Sequence, residues 1–150
     1  MPPAEFVETV ASLFTDAIVN STSWRVRLNA LPTLAVFWYR NLTSFTEESM
    51  SKLMDVLLQC LEDENLEVRE MAAKTLSSVL RSSQRHRILP LKDHFANMVR
   101  KTRLPRRREA SYNEALRKLH AGILGMVALI DAHPYTVTPW MPSLCEGEVI

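Results

Sequence analysis

Leu61-Glu62-Asp63-Glu64-Asn65-Leu66-Glu67-Val68-Arg69-Glu70-Met71-Ala72-Ala73-Lys74-Thr75-Leu76 is the stretch on which the fold turns. The end of an apolar helix runs into an acidic turn. A Val-Arg pair follows, and then small and large apolar residues at helical spacing. A single helical hairpin of this kind cannot hide its apolar faces alone; stacking copies of itself hides them. The stretch predicts scaffold rather than catalyst.

The pattern recurs on both sides. Val26-Arg27, Ala30 and Leu34 stand where Val68-Arg69, Ala72 and Leu76 stand, at an offset of 42 positions. Leu119-His120, Ile123 and Val127 repeat it at an offset of 51, which implies an insertion in that unit. HEAT and armadillo units span ~40–47 residues. The expected fold is therefore all-α, an α-solenoid of HEAT/armadillo-like helical hairpins with about three repeats. They fall near residues 1–43, 44–84 and 85–133 of a solenoid segment covering 1–142.

Composition agrees. The 150 residues are 47% hydrophobic and 23% charged, with only three glycines. That is enough for one core and too little for two. A net charge of +1 exerts no global pull on nucleic acid or membrane. Cys60 and Cys145 are too few for a disulfide framework and fit a reducing, intracellular setting. Met1-Pro2-Pro3-Ala4-Glu5 lacks the positive start of a secretory signal, and no apolar run approaches the ~20 residues of a membrane span.

Along the chain, Phe6, Val7, Val10, Leu13, Phe14 and Ala17 form a first amphipathic stripe, and Ser23 is placed to cap a helix beginning at Trp24. Pro32 falls inside that helix and should bend it. Ser44-Phe45-Thr46-Glu47 reads as a capping box for the next helix, whose buried face is Met54, Leu57, Leu58 and Leu61. Its partner turns Val68, Ala72, Leu76 and Val79 inward. Leu91, Phe95, Met98 and Val99 mark a fifth helix ending near Arg103, before Pro105. Ser111-Tyr112-Asn113-Glu114 reads as a second capping box, opening a helix with a stripe of Leu116, Leu119, Ile123, Val127 and Ile130. Gly122 and Gly125 inside it each cost about 1 kcal/mol against alanine, so another helix should pack very close there. Trp140-Met141-Pro142-Ser143-Leu144 resembles the opening of a further helix, and the chain is expected to be a piece of a longer protein.

Three blocks carry a family resemblance: Leu61–Ser77, then Leu119-His120-Ala121-Gly122-Ile123-Leu124-Gly125, then Pro134-Tyr135-Thr136-Val137-Thr138-Pro139-Trp140-Met141-Pro142. With Ser23-Trp24-Arg25-Val26-Arg27 upstream, they closely resemble the C-terminal region of the giant HEAT-repeat proteasome activator family. The resemblance reaches Pro142 and leaves 143–150 as a divergent or truncated C-terminus. It implies a long solenoid that domes over the proteasome core particle and opens its gate. It further implies ATP- and ubiquitin-independent degradation, including that of acetylated histones, a nuclear and also cytoplasmic location, and links to DNA repair and spermatogenesis. Two departures accompany it. The family anchors through a C-terminal hydrophobic-Tyr-X tail, whereas this chain ends Glu148-Val149-Ile150. The family also has an Asn-Phe pair credited with reading acetyl-lysine; here Ser83-Gln84 stand at the corresponding place, which weakens that role.

Among chemistry-bearing residues, Arg100-Lys101-Thr102-Arg103-Leu104-Pro105-Arg106-Arg107-Arg108 concentrates six basic residues in nine. It reads as a nuclear-import signal, as a contact for an anion or acidic partner, or as a solvated loop. No aromatic residues interleave with its arginines, which disfavours direct nucleic-acid binding. His86, His94, His120 and His133 lack metal-ligand spacing. His120 occupies the place of Arg69 in the repeat and is expected to support packing or the turn between helices. The run Glu62-Asp63-Glu64 is expected to complement the dipole of the following helix. No phosphate loop, nucleophile elbow or triad is visible, so no enzyme, no cofactor and no metal is expected. The alternatives to a proteasome-activator segment are a general HEAT adaptor for a nuclear protein partner and an acetyl-lysine reader.

Overall fold

A computed structural model describes the backbone of residues 4–82 and 85–132, with side chains set apart at 4 and 85–87. Among these residues six α-helices follow one another: α1 (Ala4–Asn20), α2 (Trp24–Arg40), α3 (Glu47–Leu61), α4 (Leu66–Arg81), α5 (Arg85–Lys101) and α6 (Tyr112–Ala132), with one 3₁₀ turn at Leu42–Ser44. Among the described residues there is no strand. The all-α expectation stands.

Local chemistry sets the boundaries. Asn65 starts α4, its side chain accepting from the backbone N–H of Glu67 at 2.9 Å and of Val68 at 3.3 Å. Thr46 starts α3, accepting from the N–H of Ser49 at 3.1 Å. The cap thus falls two residues after Ser44, and Glu47 is the first helical residue rather than the third. Ser23 holds the expected cap position in extended geometry but makes no side-chain capping bond. Ser111 immediately precedes α6, and its carbonyl accepts from Ala115 N–H at 3.0 Å. α5 begins at Arg85 and carries Pro90 inside it, a start well before Leu91. Pro90 removes one N–H, but near the N-terminus the lost bond costs least.

Helices α2, α4 and α6 lie side by side in one layer; α1 and α3 form the other, and α5 packs on α6. The shared layer runs parallel, as contacts at both ends show. Arg27 near the start of α2 meets Asp63 just before α4, and Trp38 near the end of α2 meets Ser82 just after α4. Arg69 and Arg81 of α4 likewise meet His120 and Asp131 of α6. Leu57, Val68, Ala72, Leu76, Val79 and Phe95 are wholly buried in one continuous core.

The buried face departs from the sequence stripe in the two outer helices. In α6, Leu116 and Val127 are exposed, and the buried face is Ala121, Gly122, Gly125, Met126, Ala128, Leu129 and Ala132. A Cβ built on Gly125 would stand 2.4–2.5 Å from the Phe95 ring, and one on Gly122 would stand 2.9 Å from Val99 Cγ2. The close helix expected from the two glycines is α5, and its approach turns the small residues inward. In α1, Phe6 and Leu13 face outward while Val7, Ala11 and Ile18 are buried. Val26 is also exposed, unlike its repeat counterpart Val68.

Candidate functional site

The repeat positions Arg27, Arg69 and His120 come together as successive rungs, the arginines in the first turns of α2 and α4 and the histidine in the N-terminal half of α6. Arg27 Nε donates to Asp63 Oδ2 at 2.6 Å and Nη2 to Oδ1 at 3.0 Å, while Nη1 donates to the Ser21 carbonyl at 2.9 Å. This is a bidentate pair with both side chains largely covered. The hydrogen bonds to Asp63 raise the Arg27 pKa further, so the guanidinium stays charged. Asp63 Oδ1 also accepts from Asn65 N–H at 2.9 Å, tying the rung to the cap of α4. Asp63 thus links two repeats rather than merely facing a helix dipole, a role that its acidic neighbours concealed.

The second rung is built differently. Arg69 Nη1 donates to the carbonyls of Asp63 at 2.8 Å and Glu64 at 3.4 Å, and Nε donates to His120 Nδ1 at 3.1 Å. Accepting through Nδ1 places the His120 proton on Nε2 in the neutral ring. Burial lowers the His120 pKa, and the Arg69 charge lowers it further, against a smaller opposing effect of Glu70. His120 therefore takes the packing role expected of it.

Beside this rung lies a cleft of about 590 Å³ with an apolar floor of Leu116, Leu119 and Ile123 and a polar wall of Arg69, Arg117, His120, Asn113 and Glu64. The basic segment precedes the helix that forms its floor: Lys101 ends α5, and Arg103, Arg106, Arg107 and Arg108 are exposed on the connection to α6. Arg100 lies in the last turn of α5. A second groove, between the C-terminal halves of α4 and α6, is lined by Lys74, Arg81, Leu124, Val127 and Asp131, with Ser77 Oγ buried and unpaired among the described residues. Ser83, Gln84, His133 and the Pro134–Pro142 block lie outside the described residues.

Burial, reinforced by Asp63, pushes the Cys60 thiol up to about 12, far from a reactive thiolate at neutral pH. Among the described residues no group of His, Cys, Asp and Glu is arranged to hold a metal ion. No helix among them is long and apolar enough to cross a membrane.

Residues 19–103 match the family described as Trm732, C-terminal TPR repeats, which places that stretch among helical repeats. Residues 116–147 match the family described as proteasome activator complex subunit 4-like, C-terminal. The chain is 39% identical to proteasome activator complex subunit 4 of Xenopus laevis and 37% identical to that of Homo sapiens, in each case over 83% of this chain and 7% of the relative. It is 28% identical to the proteasome activator BLM10 of Saccharomyces cerevisiae over 71% of this chain and 5% of that protein. The aligned parts contain both rungs, the basic connection and most of α6, and this chain accordingly belongs to the proteasome activator complex subunit 4 family, spanning about 7% of the length of its vertebrate relatives.

Proposed function

We propose that this chain is a solenoid segment of a proteasome activator. As part of the full family architecture, it helps bind the core particle and promotes ATP- and ubiquitin-independent degradation. The observation that carries the reading is the alignment of relatives named as proteasome activators over 83% of the chain. The stacked rungs fit a regulator that acts by shape, since a solenoid spreads its contacts over a long surface instead of concentrating them in one reactive pocket. On this reading the segment is not itself a catalyst. Degradation of acetylated histones, a role in DNA repair and nuclear accumulation belong to the same proposal, the last with the Arg100–Arg108 segment as import signal.

The isolated chain offers few contacts, so it should bind core particles weakly and leave fluorogenic-peptide turnover unchanged. The deciding experiment exchanges the aligned segment of a full-length relative for this chain. Stimulated turnover by the exchanged protein supports the reading, and a folded chimaera that binds core particles without stimulating them counts against it. Acetyl-lysine reading is tested separately, by comparing acetylated and unmodified histone peptides on the chain and on its Gln84→Ala variant. The match of residues 19–103 to another helical-repeat family keeps one second reading, that of a general adaptor for a nuclear protein.

A further inference from the structure

The two rungs differ in one chemical respect. Asp63 lies six positions before Arg69 and supplies the carboxylate that Arg27 grips with two bonds. The residue six positions before His120 is Glu114, which should do the same for Arg69. Instead Glu114 has entered the first turn of α6, where it pairs with Lys118 Nζ at 3.5 Å. Among the described residues Arg69 consequently meets carbonyls and an imidazole but no carboxylate, and its Nη2 has no partner. Arg117, on the same cleft, meets among the described residues only the exposed Glu64, at 3.9 Å.

We propose that the cleft between α4 and the N-terminal half of α6 docks an acidic peptide segment carrying an apolar anchor. Its carboxylate does on Arg69 and Arg117 what Asp63 does on Arg27, while a leucine-like side chain covers Leu116, Leu119 and Ile123. Arginine suits this task because its planar fork matches a carboxylate bidentately, and arginines beside a desolvated apolar floor make strong interface anchors. Charge complementarity extends beyond the cleft. The connection entering α6 exposes Lys101, Arg103, Arg106, Arg107 and Arg108, none of them in an ion pair among the described residues. The acids nearby are Glu62, Asp63, Glu64, Glu70, Glu109 and Glu114, of which Asp63 is held by Arg27 and Glu114 by Lys118; against Arg69, Arg117 and the five cations of this segment they leave positive charge in excess. Among the described residues no Phe, Tyr or Trp lines the cleft, and the one ring there, His120, is held by Arg69; the apolar floor and the arginine pair select a peptide over a nucleic acid.

The test uses the full 150-residue chain and a fluorescein-labelled peptide of alternating Asp-Glu pairs and leucines, followed by anisotropy at several salt concentrations. Binding should weaken about fivefold for Arg117→Gln, the loss of one charged contact. Glu64→Gln removes the competing carboxylate and should tighten binding, a gain that misfolding cannot imitate. Replacing Arg106, Arg107 and Arg108 with alanine should lower the salt sensitivity. Three outcomes would overturn the proposal: equal binding of the Asn-Gln version of the peptide, no response to either Arg117→Gln or Glu64→Gln, or tighter binding of an oligothymidine than of the acidic peptide. Absence of binding to the intact chain would overturn it too.

Discussion

The junction between α2 and α4 is closed at both ends by direct side-chain bonds, whereas that between α4 and α6 relies on softer ones. The first has the Arg27–Asp63 ion pair at one end and the Trp38 Nε1 bond to Ser82 Oγ, at 3.2 Å, at the other. The second has the Arg69–His120 bond at one end and a 3.4 Å contact from Arg81 to the Asp131 carbonyl at the other. The closest approach to α6 comes from its other neighbour, α5, which presses Phe95 and Val99 against the glycines of α6. A solenoid can join equivalent repeats with unlike chemistry, provided that each junction buries its apolar face.

The largest effect should come from the helix common to both junctions. Leu76→Asp places a charge without a partner in a fully buried site and should abolish cooperative unfolding, as Leu57→Asp should in α3. A variant that melts like the parent would mean that the inward face of α4 is wrongly assigned. At the first junction, Asp63→Ala strands Arg27 and frees the Asn65 N–H. It should cost roughly 1.5–3 kcal/mol in urea unfolding, whereas Arg69→Ala, which strands no carboxylate, should cost less. Equal losses would erase the distinction between the rungs.

At the contact between α5 and α6, Gly125→Ala gains about 1 kcal/mol of helix propensity. Overpacking against the buried Phe95 ring costs about 1–3 kcal/mol, so the net should be a loss. Phe95→Leu in the Gly125→Ala background should recover part of it; a purely additive double variant would argue against the close contact.

A smaller effect concerns pH. The His120 pKa is lower in the fold than in the unfolded chain, so the unfolded state binds its proton first as pH falls. The contribution of the second rung is complete above the usual histidine range, about 6.5, and is lost as pH drops through the lowered folded value. His120→Gln keeps an acceptor for Arg69 without titrating, so its melting temperature should vary less than the parent's between pH 7.5 and 5. Superimposable pH profiles would remove His120 from the account. The smallest effect on stability is expected from alanine at Arg106, Arg107 and Arg108, which are exposed on the connection. Melting should be unchanged while a tagged protein loses nuclear accumulation, and an unaltered distribution would leave the segment as a solvated loop.

Much of the fold was legible because the repeat offset and the periodicity are local properties. Arg27, Arg69 and His120 were aligned by spacing alone, and the structure sets them on one line of rungs. Gly122 and Gly125 announced a close neighbour, since nothing else repays two glycines in mid-helix. Asp63 was visible only as one acid among three, because partner choice depends on which side chain the turn aims back at α2. The phase of α6 was misread for a related reason. Counting large apolar residues favours Leu116, Ile123 and Val127, yet the approach of α5 at Gly122 and Gly125 turns the helix so that Ala121, Met126 and Leu129 are buried instead of Leu116 and Val127.

By itself, then, the amino-acid order determined six helices, their hairpin repeat, the family and the basic connection, because capping, propensity and 3.6-residue periodicity act within a few positions of each residue. Tertiary structure alone decided which acid bridges Arg27, why Arg69 meets an imidazole instead, and which face of α6 is covered. Those outcomes depend on the distance between helices far apart in the chain, and close packing leaves each such distance little freedom.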